Sequence, residues 1–149
     1  MTTNYMEIAL ENAKRAAAQG DVPVGAVLID NRTGDILAEA GNRTEELNDP
    51  TAHAEMLVIR TATEKVASPR LENCDLYVTL EPCPMCATAI SFARVRRLYF
   101  GAFDPKGGGV EHGPRIYEQP TCHHAPEVYS GIEEIRCAAL LKDFFGKRR

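Results

Sequence analysis

Apolar residues recur at Met6, Leu10, Ala13 and Ala17, and this spacing predicts an amphipathic helix that ends near Gly20. Val22 to Ile29 reads as a strand, with Pro23 near its start and Gly25 inside it. Asn31-Arg32-Thr33-Gly34-Asp35 is turn chemistry, so Ile36 to Ala40 is predicted to return antiparallel. Asp49-Pro50-Thr51 supplies a capping side chain and a first-turn proline for a helix from Ala52 to Val66. Met56, Leu57, Val58 and Ile59 are consecutive, so that helix is expected to be apolar on most faces and central. Asp75 to Leu80 is a buried-type strand that runs straight into Pro82-Cys83-Pro84, after which a second helix should reach Ala93. Arg97 to Gly101 is a further strand, Asp104 to Gly113 a glycine-rich loop, Glu127 to Ser130 a short strand, and Glu133 to Lys147 a closing helix. In that last helix Cys137, Leu140 and Phe144 fall at helical spacing, which places Phe144 in the core.

Strands alternating with helices predict an α/β fold, and the first hairpin makes its central sheet mixed. The chain has no repeat, low-complexity tract or linker-like stretch, so residues 1–149 are read as one domain. Apolar residues make up 44% and charged residues 26%, enough of both for a buried core under a solvated surface. The opening residues lack a basic region before an apolar stretch, so no signal peptide is expected, and no run has the length of a membrane span. Five cysteines, two of them in a C-x-x-C, point to metal binding in a reducing compartment, hence the cytoplasm. A net charge of −4 argues against a non-specific nucleic-acid coat. Two local basic groups, Arg94-Arg96-Arg97 and Lys142-Lys147-Arg148-Arg149, read by themselves as solvated faces or helix-end charges.

The chemistry is concentrated in His53-Ala54-Glu55 and Pro82-Cys83-Pro84-Met85-Cys86. One imidazole and two thiolates give three protein ligands for a single zinc ion, His53, Cys83 and Cys86, where a structural site normally closes with four. Three ligands leave a position for water, and Glu55 is a carboxylate placed to move protons on and off it. The spacing is the H-x-E…P-C-x-x-C signature of zinc-dependent nucleobase deaminases. Both ligand groups fall at loop-to-helix junctions, where unpaired N–H groups and the helix dipole favour thiolate and hydroxide. Cys74, Cys122, His112, His123 and His124 are nominally available to close a four-ligand structural site. Cys74 abuts a buried strand and reads as a small core residue, and His112, beside Gly113 and Pro114, reads as exposed.

Longer strings carry a family resemblance over nearly the whole chain. They include Val22-Pro23-Val24-Gly25-Ala26-Val27, Gly41-Asn42-Arg43, Asp49 to Glu55, Leu76 to Cys83, Met85-Cys86-Ala87, Phe100-Gly101-Ala102 and the ending Cys137 to Phe145. The chain resembles the bacterial tRNA-specific adenosine deaminases, a branch of the cytidine-deaminase-like superfamily. That resemblance implies a three-layer α/β/α sandwich and a homodimer. It also implies hydrolytic deamination of adenosine to inosine at the wobble position, 34, of a tRNA anticodon, with Glu55 as proton shuttle to zinc-activated hydroxide. Asn42 matches a residue that hydrogen-bonds the flipped base, and Ala54, Asp104, Lys106 and His124 match substrate contacts. His123, Phe103 and Thr44 depart from the usual residues, which touches substrate contacts and leaves the metal set intact. Two other functions share these residues. One is a free-base or nucleoside deaminase acting on guanine, cytosine or cytidine; the other is a zinc-stabilised RNA-binding module, against which Glu55 argues.

Overall fold

The computed structural model describes residues 3–147. Helix α1 (Tyr5–Ala18) starts at Asn4, whose side chain accepts the Glu7 N–H, and buries Met6, Ala9, Leu10, Ala13 and Ala16. Ala16 takes the inward place expected of Ala17, and the half-buried Ala17 stands to one side. Strands β1 (Gly25–Asp30) and β2 (Ile36–Gly41) form the expected antiparallel hairpin. β1 then pairs antiparallel with β3 (Cys74–Leu80), which pairs parallel with β4 (Arg97–Ala102), itself parallel to β5 (Glu127–Tyr129). The mixed sheet therefore runs β2-β1-β3-β4-β5.

Side chains alternate across this sheet, as the pleat requires. Ala26, Leu28, Leu76, Val78, Leu98 and Phe100 face one apolar layer with Val58 and Ala62 of helix α3 (Ala54–Val66) and Ile90 of helix α4 (Pro84–Phe92). Val27 and Ile29 face the other, with Met6 and Leu10 of α1 and Cys137 of helix α5 (Glu134–Lys147). Helices thus cover both faces, giving the three-layer α/β/α sandwich. Gly25 explains how close α1 lies: a Cβ there would stand 2.6 Å from the Ala13 backbone nitrogen.

Three features differ from expectation. Helix α3 begins at Ala54, because Asp49 caps the Thr51 turn instead, accepting the Thr51 N–H at 2.8 Å and its hydroxyl at 2.7 Å. Of the apolar run in α3 only Val58 is fully buried, while Met56, Leu57 and Ile59 are half-buried. The helix covers one face of the sheet, so its other sides meet solvent. A short helix, α2 (Thr44–Leu47), has no sequence signal of its own, since Arg43 at its start provides no side-chain cap. Its cap arrives from the buried Asp21, which accepts the Thr44 hydroxyl at 2.9 Å and the Glu45 N–H at 3.0 Å.

Arg96, Arg97 and Lys147 of the basic groups form ordinary ion pairs. Arg96 forks onto Asp75 at 2.9 and 2.7 Å, and Arg97 meets Glu127 at 2.6 Å. Lys147 pairs with Asp143 at 3.2 Å, and Arg148 and Arg149 lie outside the described residues. Phe144 is half-buried, short of the core position its spacing predicts, because only Cys137 on that face is fully enclosed. Cys74 is in the core at 5% exposure, as expected. No helix among the described residues is long and apolar enough to cross a membrane.

Candidate metal centre

The site sits where β3 ends and two helices begin. His53 is the N-cap of α3 and Cys83 the N-cap of α4, and each opens its helix without a side-chain cap bond. Cys86, in the first turn of α4, is fully buried. His53 Nδ1 lies 3.6 Å from Cys83 Sγ and 3.5 Å from Cys86 Sγ, and all three donor atoms fall within 4.8 Å of one another. A tetrahedral ion with zinc's usual bond lengths to thiolate and imidazole holds such donors about 3.6 Å apart. The observed spacing therefore fits zinc, and the nitrogen–sulfur donor set suits its borderline softness.

Electrostatics support the same reading. The Cys83 thiol is drawn down to about 4, chiefly by a hydrogen bond with Cys86 and further by His53. Cys86, on the donating side of that bond and buried, is pushed far up. The imidazole of His53 is raised, first by its hydrogen bond to Cys83. Glu55 is 4% exposed. Its carboxyl is raised to about 7, first by burial and then by the nearby Cys83, against the lowering pull of its backbone hydrogen bond, the His53 ring and a hydrogen bond with Cys86. A group that titrates near neutrality can both accept and return a proton. Among the described residues His53, Cys83 and Cys86 are the metal-competent cluster. Cys122 instead lies against Ser91, 3.5 Å away, and the Cys122-His123-His124 run forms no second centre there.

The expected substrate residues fall in three places. Asn42 and Ala54 are joined at the site: Asn42 Oδ1 accepts the Ala54 N–H at 2.8 Å in a buried setting. Asp104 and Lys106 lie on the loop beside the site, with Asp104 Oδ1 accepting the Lys106 and Gly107 N–H groups at 3.2 and 2.9 Å. His124 lies elsewhere, at the far end of α4, with Nε2 2.8 Å from the Val95 carbonyl and its own carbonyl accepting from Ser91. The nine-residue helix separates it from Cys83 by roughly 12 Å.

Sequence reasoning missed Glu81. Its carboxylate is wholly enclosed and gathers the loop that follows β4. Oε1 accepts the Asp104 N–H at 3.0 Å and the ring of His112 at 2.8 Å. Oε2 accepts the N–H groups of Val110, Glu111 and His112 at 3.2, 2.9 and 3.1 Å. Burial pushes this carboxyl up, but the N–H groups and the His112 ring outweigh it and hold it below the ordinary value. His112 is accordingly a half-buried partner, against the expectation that it is exposed. The one available signal was a charged residue placed directly after a buried-type strand and before Pro82.

Between this loop and α5 runs an open groove of about 770 Å³ lined by Val22, Leu80, Phe103, Lys106, Leu141 and Phe145. It continues past Lys142.

The description "cytidine and deoxycytidylate deaminase zinc-binding region" belongs to a family model that matches residues 1–102. With that match, the sandwich fold and the three-donor cluster define a zinc-dependent deaminase. The tRNA-specific adenosine deaminases of Agrobacterium fabrum (58% identical, covering 99% of this chain and 95% of the relative) and Bacillus subtilis (46%, covering 97% and 89%) are close relatives. A solved structure from a study of A-to-I editing by tRNA:A34 deaminases at the wobble position of transfer RNA aligns with TM-score 0.89 at 60% identity, covering 92% of this chain and 98% of that one. The chain belongs to the tRNA-specific adenosine deaminase family.

Proposed function

We propose that this chain deaminates adenosine to inosine at the wobble position, 34, of a tRNA anticodon. The observation that carries the reading is the buried Glu55 carboxyl, held near neutrality beside three zinc-competent donors. Full-length likeness to relatives named tRNA-specific adenosine deaminase supports the substrate.

His53, Cys83 and Cys86 are the residues that would hold the ion. Bound there, zinc supplies Lewis acidity that brings the pKa of water toward neutrality. Glu55 takes a proton from the attacking water and delivers it to N1 of adenine as the C6–O bond forms. The same carboxylate then takes the proton of the new C6 hydroxyl and passes it to the amino group, the C6–N6 bond breaks as the C6 carbonyl forms, and ammonia leaves with inosine as product. Asn42, fixed through its oxygen by the Ala54 N–H, presents its Nδ2 donor to the base. C6 of a stacked adenine is out of reach, so the base must be extruded from a loop. The groove beside the loop combines aromatic Phe103 and Phe145 with Lys106 and Lys142, a pairing that suits stacked bases and phosphates.

The working unit in this reading is one domain, cytoplasmic, and paired as a homodimer. Phe92 on α4, 76% exposed, is a large apolar group suited to a partner surface.

The test is a deamination assay of the zinc-loaded protein on an adenosine-34 anticodon stem-loop, with free adenosine, cytidine and guanine in parallel. Inosine in the stem-loop alone is the expected result. Turnover of a free base or nucleoside in its place would move the enzyme to small-molecule salvage.

A further inference from the structure

We propose that Glu81 and His112 form a latch that sets the loop from Phe103 to Gly113 beside the metal centre and so presents Asp104 and Lys106 to the RNA. This inference rests on the tRNA reading above.

The loop is long and glycine-rich, a composition that by itself suggests a slack connection. The structure has it tightly folded. Gly108, Gly109 and Val110 are buried, and the Gly109 N–H reaches the Pro82 carbonyl at 2.8 Å. A Cβ on Gly108 would collide with Glu81 Oε2, and one on Gly109 would come within 2.7 Å of Pro84 Cα. The glycines are thus required by the close approach of this loop to the Glu81–Pro84 segment.

Five donors converge on Glu81: four backbone N–H groups and one imidazole. Because each of these backbone N–H groups must find an acceptor, a single carboxylate fixes the path of the loop at both ends, Asp104 and His112. His112 closes the arrangement from the solvent side. With Nδ1 on Glu81, its ring lies edge-on to Phe103, 6.1 Å between centroids, and Phe103 in turn lies edge-on to the buried Phe100 at 5.3 Å. Asp104 follows Phe103 directly and organises the turn that carries the exposed Lys106. The side chains that would meet RNA are therefore hung from a residue two places before Cys83 that need touch neither zinc nor substrate. Glu81 and His112 are positioning residues.

The experiment compares the wild type with His112→Ala and His112→Asn, all zinc-loaded. An asparagine amide nitrogen can occupy the place of Nδ1 and restore the hydrogen bond to Glu81, whereas alanine cannot. For His112→Ala the expected result is a KM and a stem-loop Kd raised about tenfold, with kcat within about twofold of wild type. Zinc content should stay stoichiometric, and hydrogen exchange at amides 108–112 should speed up without RNA present. His112→Asn should recover most of the binding and the slow exchange. Unchanged stem-loop binding by a His112→Ala protein whose wild-type parent binds well would overturn the latch. So would equal behaviour of the alanine and asparagine variants, which would leave only a packing role for the ring. Glu81→Gln is the second arm: weaker RNA binding with zinc retained supports the inference, and loss of zinc with unaltered loop exchange contradicts it. If the wild type itself neither binds nor deaminates the stem-loop, the tRNA reading falls, and the RNA role of the latch falls with it.

Discussion

The carboxamide oxygen of Asn42 accepts the backbone N–H of Ala54, so the helix that carries Glu55 is capped from outside, by a residue twelve positions earlier. His53, which holds the N-cap position, is thereby left to face the metal centre. Capping and ligation, which would compete for one side chain, are divided between two. Asn42→Ala orphans a buried N–H and is expected to lower stability by about 1–2 kcal/mol, read from urea denaturation. Asn42→Asp keeps the acceptor and should restore the denaturation midpoint, yet raise KM for the stem-loop because the Nδ2 donor is gone.

Glu55→Ala should keep stoichiometric zinc and the wild-type circular dichroism spectrum while losing about 10²- to 10⁴-fold in kcat, the usual worth of a positioned proton carrier. Steady-state turnover alongside elemental analysis checks both halves. A zinc-loaded variant with wild-type kcat would remove Glu55 from the reaction.

Cys86→Ala should abolish stoichiometric zinc, measured by elemental analysis after dialysis. Metal loading of the wild type should also depend on pH in a defined sense. Cys86 is raised and holds its proton in the metal-free protein, whereas Cys83 at about 4 has already lost its own. Ligation must therefore displace the Cys86 proton, so affinity falls as pH falls, by about tenfold per unit for that one proton and more steeply once His53, whose imidazole is raised, is protonated as well. Competition with a chromophoric chelator over a pH series measures that slope.

Gly25→Ala tests the packing of α1 on the sheet. The added methyl group meets helix backbone, which cannot step aside like a flexible side chain. A loss of about 3 kcal/mol is expected, seen as a lower urea midpoint at unchanged slope.

Much of this was legible in the chain because it is local. The ligand spacing, the prolines flanking Cys83, the hairpin turn at Asn31–Asp35 and the inward face of α1 each declare themselves within a few residues. What stayed hidden depends on partners distant in sequence. Helix α2 exists because Asp21 caps it across 23 positions, and His112 looks exposed until Glu81 is brought to it from 31 positions away. The apolar run in α3 suggested a central helix, because periodicity reports how apolar an element is and says little about how many neighbours will cover it. The capping role of Asn42 has no local sign either, being fixed by the Ala54 N–H it meets in the fold.

His53 and Cys83, 30 positions apart, open two different helices. An ion shared between them would close a ring that contains all of α3 and β3. In chain-entropy terms a cross-link over that span removes about 3–4 kcal/mol of freedom from the unfolded ensemble. The centre that performs the chemistry would thus also act as a staple, and a cell short of zinc would hold a protein that is inactive and, by the same loss, shorter-lived.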